Sequence, residues 1–181
     1  DQIRTVIRHF RDVYATELFP GRTTVPKTLI FAKDDSHADD IVRIVREEFG
    51  KGNDFCQKIT YRTGVMRVTD KVTDPDGTER EVARYEKIKG KTGEDVLVAF
   101  RNSFNPRIAV TVDMIATGTD VKPVEIVFFM RSIKSSNYFE QMKGRGVRVM
   151  PADMLKGVTP DAKSKTRFVI IDAVGVCEQC K

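Results

Sequence analysis

A chain of 181 residues and 20.5 kDa, 40% apolar and 31% charged, has the core material of one domain of ordinary size. That composition excludes a disordered tail, a collagen-like repeat and an end-to-end coiled coil, and no run approaches the roughly 18 apolar residues of a membrane helix. Thirty-one basic against 26 acidic residues leave +5, and the excess is local: residues 131–148 hold five cations and one acid, residues 34–48 six acids and two arginines.

In chain order, Ile3, Val6, Ile7, Phe10, Val13, Tyr14 and Leu18 fall at helical spacing over residues 2–19, and Pro20-Gly21 ends that helix. Opening at Asp1 inside this pattern, with no initiator Met, signal peptide or lipidation motif, the chain reads as a piece of something longer. Residues 27–33 (Lys-Thr-Leu-Ile-Phe-Ala-Lys) are a continuous apolar run of strand length, the kind buried on both faces of a parallel sheet. Asp34 and Asp35 lead into a capping box read at Ser36-His-Ala-Asp39. The helix it opens places Ala38, Ile41, Val42, Val45 and Phe49 on one face, and Gly50 closes it.

A weaker strand is expected at residues 55–61. Between residues 62 and 95, eight basic and eight acidic residues balance around Asp74-Pro-Asp-Gly77, a strong turn signal. Residues 65–72 and 81–85 are expected to pair as a hairpin within a charged surface insertion over residues 62–92. Then come a helix over residues 94–104, a buried-type strand over 107–113 and a loop rich in Thr and Gly. A strand over 124–130, a helix over 135–142 and a last strand over 167–174 complete the pattern. This alternation implies an α/β fold whose mostly parallel sheet is covered by helices on both faces. Ligands gather at the carboxyl ends of such strands, so the chemistry is expected in the loops after Phe31, Val112 and Met130.

The sequence holds no G-x-x-x-x-G-K-[ST] phosphate loop, no G-x-G-x-x-G opening a helix, no G-x-S-x-G elbow and no H-E-x-x-H. A self-sufficient nucleotide hydrolase, esterase or metalloenzyme is not what these residues describe. Three cysteines, Cys56, Cys177 and Cys180, are too few for a disulfide scaffold and suggest a reducing cytoplasm. Cys177 and Cys180 form a C-x-x-C, but a zinc site needs a second pair, and they read as incidental thiols.

Two segments stand out. Val110-Thr-Val-Asp-Met-Ile-Ala-Thr-Gly-Thr-Asp-Val121 runs a buried strand into an Asp- and Gly-bearing turn. Gln141-Met-Lys-Gly-Arg-Gly-Val-Arg148 spaces Arg145 and Arg148 three apart, so that on a helical turn both guanidinium groups face one way. Paired arginines suit a phosphoryl oxygen whose charge grows in a transition state, and Gln141 one turn earlier is able to hydrogen-bond a phosphate or a water. Asp113 reads as an end-of-strand cap and Lys143 as a solvated cation.

On these residues the sequence resembles the second RecA-like domain of superfamily two helicases and translocases, and more closely the motor (R, restriction) subunit of type I restriction enzymes. Thr28-Leu-Ile-Phe-Ala32 resembles motif IV, residues 111–120 motif V, and residues 141–148 motif VI, written Q-x-x-G-R-x-x-R; the match runs over about residues 27–174. The resemblance implies a leading helix and linker at residues 1–22 and a RecA-like helicase C-terminal domain over residues 23–181. It implies ATP and Mg²⁺ held mainly by a preceding RecA-like domain of the same chain that carries the phosphate loop. Arg145 and Arg148 would be arginine fingers, Gln141 would lie near the γ-phosphate, and Thr117, Gly118 and Asp120 near the sugar and phosphates of the nucleotide.

Closing and opening of that cleft would move the domain along double-stranded DNA in a cytoplasmic complex with methyltransferase and specificity subunits. The family's nuclease lies in another domain, so residues 1–181 alone are expected to be inactive. Two departures qualify the likeness. Val112 stands where many helicases place a Thr or Ser that touches the nucleic-acid backbone, leaving Thr111 for that contact, and the insertion at residues 62–92 carries no motif. Two other readings keep the same fold: the second domain of a DNA or RNA helicase, or a degenerate module that binds DNA or another subunit without an ATPase role.

Overall fold

The computed structural model describes residues 2–112, 120–133, 136–144 and 148–175. Among these, α1 (Gln2–Val13) runs into a π-helical turn (Tyr14–Leu18), followed by β1 (Thr28–Phe31), α2 (Asp35–Phe49), β2 (Cys56–Ile59), β3 (Val65–Thr73) and β4 (Glu79–Lys87). Then come α3 (Gly93–Asn102), β5 (Ile108–Thr111), β6 (Ile126–Phe129), α4 (Ser136–Lys143), α5 (Ala152–Val158) and β7 (Val169–Asp172). Among the described residues, five strands form an all-parallel sheet in the order β2-β5-β1-β6-β7, with β1 at its centre. β3 and β4 pair antiparallel as a separate ribbon. The α/β architecture implied by the alternation is the one observed.

The inner strands β1, β5 and β6 are buried at every position, which is why they appear in sequence as unbroken apolar runs. Alternate residues divide the core into two layers. Ile30, Val110 and Phe128 pack with Ile7 and Phe10 of α1 and Ile41 and Val45 of α2. Leu29, Phe31, Val127 and Phe129 pack with Leu97 and Phe100 of α3 and Phe139 and Met142 of α4. Phe10 is 2% exposed, a burial worth about 2 kcal/mol. Arg4, Arg8 and Arg11 of α1 all reach Glu48 of α2, at 2.7, 3.1 and 3.2 Å, so the leading helix is held by charge as well as by its apolar stripe. Cys56 is buried in the first layer, and burial pushes its thiol up to about 12, which leaves it inert.

The amino ends of the inner strands carry buried charge. Lys27 Nζ donates to the carbonyls of Ser103, Phe104 and Pro106 at 2.7, 3.0 and 2.6 Å. Arg107 donates to the carbonyls of Val25, Phe104 and Val158 and to the Thr159 hydroxyl. Arg22 meets Glu125 in a two-point pair of 2.6 and 3.2 Å. These bonds close the amino edge of the sheet, and the loops free to vary lie at the opposite, carboxyl edge.

Three local expectations are revised. Helix α2 is capped by Asp34, not by a box at Ser36. Asp34 is extended, and its Oδ1 accepts from the His37 N–H at 2.8 Å. Asp39 is drawn away to Lys58 Nζ at 2.7 Å, which also holds Asp35 at 3.0 Å. The capping box forms instead at α3, where Thr92 and Asp95 satisfy each other's backbone N–H groups. Helix α5, too short to show a period, was not anticipated. The hairpin is present and longer than expected, with nine paired positions on each strand and Gly77 at φ +84° closing its turn.

Candidate functional site

The two segments singled out on sequence meet at Asp120 and Arg148. Arg148 Nε stands 3.8 Å from Asp120 Oδ1, and Lys122 Nζ 3.9 Å from Asp120 Oδ2. Both distances allow an ion pair and exceed hydrogen-bond reach. Asp120 Oδ1 is buried and accepts no hydrogen bond, while the Arg148 side chain keeps 60% of its exposure. A half-exposed carboxylate beside an uncommitted guanidinium can engage a polar ligand without first breaking a strong bond: the carboxylate accepts from a hydroxyl, and the guanidinium donates to phosphoryl oxygens.

Neighbouring cations fix the backbone of this pair. Lys165 Nζ donates to the carbonyls of Lys122 and Arg148 at 2.8 and 2.7 Å, drawing the two segments together just before β7. Burial pushes Lys165 down to about 8, with Glu125 and Asp120 opposing that shift. Arg101, in the last turn of α3, approaches the Asp120 carbonyl at 3.5 Å. The pair is thus anchored from the amino-end side of β7, away from the carboxyl edge where the chemistry was expected. Lys165 and Arg101 were missed on sequence because nothing in their local pattern marks them; only the fold brings them to Asp120.

Gln141 is exposed on α4, whose Phe139 and Met142 enter the core. Lys143 is engaged on its own helix, 2.5 Å from Glu140 and 5.5 Å above the Phe139 ring. Asp113, Thr117, Gly118, Arg145, Cys177 and Cys180 lie outside the described residues.

At the carboxyl edge, the turns after β1, β2 and β5 line a cavity of about 490 Å³ that includes Lys33, Asp35, Thr60, Tyr61, Arg62 and Val112. Arg131, just past β6, donates to the Val112 carbonyl at 3.3 Å. Thr111 is fully buried between Ile59 and Phe31 in the sheet register, and its Oγ1 has no partner. Its hydroxyl therefore does not reach a surface, and the backbone contact considered for Thr111 is not available. Among the described residues, no three His, Cys, Asp or Glu side chains gather into a metal site, and no helix is long and apolar enough to cross a membrane.

The five-stranded parallel sheet flanked by helices matches helicase-like RecA folds. A type I restriction enzyme HsdR-subunit fragment from Vibrio vulnificus YJ016 superposes with a TM-score of 0.64 at 21% identity, over 99% of this chain and 29% of that one. The type ISP restriction-modification enzyme LlaBIII superposes at 0.54 and 12% identity, over 94% of this chain and 9% of that one. T4 UvsW superposes at 0.51 and 14%, over 94% of this chain and 25% of that one. At these identities the likeness establishes a RecA-like helicase-type fold. No family model matches the chain.

In sequence, the chain is homologous to the type I restriction enzyme EcoKI endonuclease subunit of Escherichia coli (strain K12), with 29% identity over 173 residues. The alignment takes in 94% of this chain and spans 12% of the length of that relative.

Proposed function

We propose that this chain is the second RecA-like domain of an ATP-driven motor that moves along double-stranded DNA, part of the R subunit of a type I restriction-modification system. The observation that carries this reading is the convergence of Asp120 and Arg148. They come from the segments that resemble motifs V and VI, and they stand at ion-pair distance with the arginine exposed. Homology to the EcoKI endonuclease subunit over nearly the whole chain supports the same reading.

The residues fit a nucleotide. The Asp120 carboxylate, whose side chain is 40% exposed, suits a ribose hydroxyl, and Arg148 suits phosphate oxygens. When bound, ATP supplies the phosphoryl transfer. In this reading, Arg145 and Arg148 stabilise the charge that develops, Gln141 positions a water or the γ-phosphate, and Thr117, Gly118 and Asp120 hold the sugar and phosphates. The first RecA-like domain would supply the protein ligands of Mg²⁺, which would aid the transfer by offsetting phosphate charge. Methyltransferase and specificity subunits complete a cytoplasmic assembly, and residues 1–181 alone hydrolyse no ATP.

The test is DNA-stimulated ATP turnover by the full-length protein. A finger acts mainly on charge formed in the transition state, so Arg148→Ala should lower turnover on the order of 10³-fold while equilibrium binding of a non-hydrolysable ATP analogue changes far less. Lys143→Ala, whose side chain is occupied by Glu140, should retain most of the rate. Near-normal turnover in Arg148→Ala would sink the assignment and move the degenerate-module reading ahead.

A further inference from the structure

We infer that the β3–β4 hairpin is an arm that grips the phosphate backbone of duplex nucleic acid, through the unpaired cations gathered at its root. The inference rests on the DNA-motor reading for its ligand but on separate residues for its contact. Each strand has nine residues, a reach of about 30 Å. The ribbon contributes to none of the three apolar clusters, and its residues are exposed or half-buried on both faces. Two strands alone are marginally stable in water, so a ribbon of this length that covers no core calls for another use.

Its charges divide by face. On one face Arg84 is paired with Asp70 and Glu86, and nearer the tip Arg80 is paired with Asp74 at 3.0 Å. On the other face Arg67 stands opposite Tyr85 and Lys87 opposite Val65. Among the described residues, neither Arg67 nor Lys87 makes a side-chain ion pair or hydrogen bond, and the same holds for Lys89 and Lys91 at the root. Tyr85 is 72% exposed, and Glu79 and Glu81 of this face lie toward the tip, away from the root cations.

A cation without a counter-ion keeps its full attraction for a polyanion, whereas a paired one must first give up its partner. Exposed tyrosine among such cations adds a hydroxyl donor for phosphate. A two-stranded ribbon also fits a major groove about 12 Å wide. The arm leaves the domain at a defined point: Ile88 N–H donates to the Gly64 carbonyl at 2.7 Å, and Gly64, at φ +68°, approaches Lys91 so closely that a Cβ there would lie 2.2 Å from the Lys91 carbonyl oxygen. That root borders the carboxyl-edge cavity through Tyr61 and Arg62.

The experiment is anisotropy titration of a labelled duplex of about 30 base pairs with the 181-residue chain at roughly 50 and 200 mM salt. The triple variant Arg67→Gln, Lys87→Gln, Lys89→Gln should raise Kd at least about tenfold and flatten the slope of log K against log salt by roughly 2 to 3. The control triple Lys51→Gln, Lys156→Gln, Lys163→Gln removes the same charge from unpaired surface lysines elsewhere and should change Kd by less than about threefold. Equal losses in both triples, no loss in the hairpin triple, or no measurable binding by the unmodified chain would overturn the arm. Retained duplex binding by the hairpin triple would also leave that face for a protein partner instead. If full-length Arg148→Ala keeps its turnover while the hairpin triple still loses duplex binding, the motor reading falls and the arm stands.

Discussion

Arg148 and Asp120 stand 3.8 Å apart, nitrogen to oxygen, with neither committed to a hydrogen bond between them. A loose, half-exposed pair of this kind contributes roughly 0–1 kcal/mol to stability. Asp120→Asn should therefore leave the unfolding midpoint of the chain almost unchanged while lowering turnover in the full-length motor. A drop in midpoint matching the loss in rate would show Asp120 to be a structural residue.

Replacing Arg148 by Lys should rescue poorly. The guanidinium presents a planar fork that spans two phosphoryl oxygens, and an ammonium does not reproduce it. Steady-state ATP hydrolysis by Arg148→Lys beside Arg148→Ala reads this directly; a rate close to wild type in the lysine variant would mean that position 148 supplies charge alone.

Glu48 ties α2 to the leading helix. Hydrogen bonds from Arg8 and then Arg4 hold its carboxyl down to about 2, against an ordinary value of 4.5. With the folded value below the unfolded one, its contribution is fully present above pH 4.5 and disappears as the pH falls toward 2. Glu48→Gln should be less stable than wild type in urea at pH 7, and the gap should close as the titration is repeated from pH 4.5 down to pH 3. A gap independent of pH would remove the ion cluster from the account of how α1 is held.

Lys27 behaves in the opposite sense. Burial, and then the charge of Arg107, push its ammonium down to about 6 from 10.5. Between those values the unfolded chain binds the extra proton, so this residue makes stability rise with pH, by at most about 1.4 kcal/mol per unit. The three carbonyls that accept from the ammonium hold the rise below that limit. Urea unfolding at pH 6 and pH 8 should show that rise in wild type and a flatter profile in Lys27→Met. The same slope in both would place the titration elsewhere.

Gly64→Ala adds a Cβ against the Lys91 carbonyl at a backbone angle that disfavours side chains, so it should loosen the hairpin and spare the sheet. Amide exchange should quicken across β3 and β4 and stay slow in β1, β5 and β6; uniform quickening would make the hairpin part of the cooperative core.

The parallel sheet was legible because its inner strands are enclosed on both faces, and residues 29–32 and 126–130 accordingly show unbroken apolar runs. The hairpin was legible from Asp74-Pro-Asp-Gly77, since a turn is written in a few adjacent residues. The candidate pair was legible as two motif-like segments, because the types and spacing of their residues are themselves the signal. Other features needed the third dimension. Lys165 and Arg101 sit in unremarkable sequence and acquire their place only when β7 and α3 bring them to Arg148 and Asp120. The resemblance leaves Thr111 to touch a nucleic-acid backbone, yet its strand neighbours Ile59 and Phe31 enclose it. The cap of α2 moved to Asp34 because Lys58, on another strand, competes for Asp39. Local pattern records what a residue does with its chain neighbours; burial and long-range charge depend on which segments the fold sets side by side.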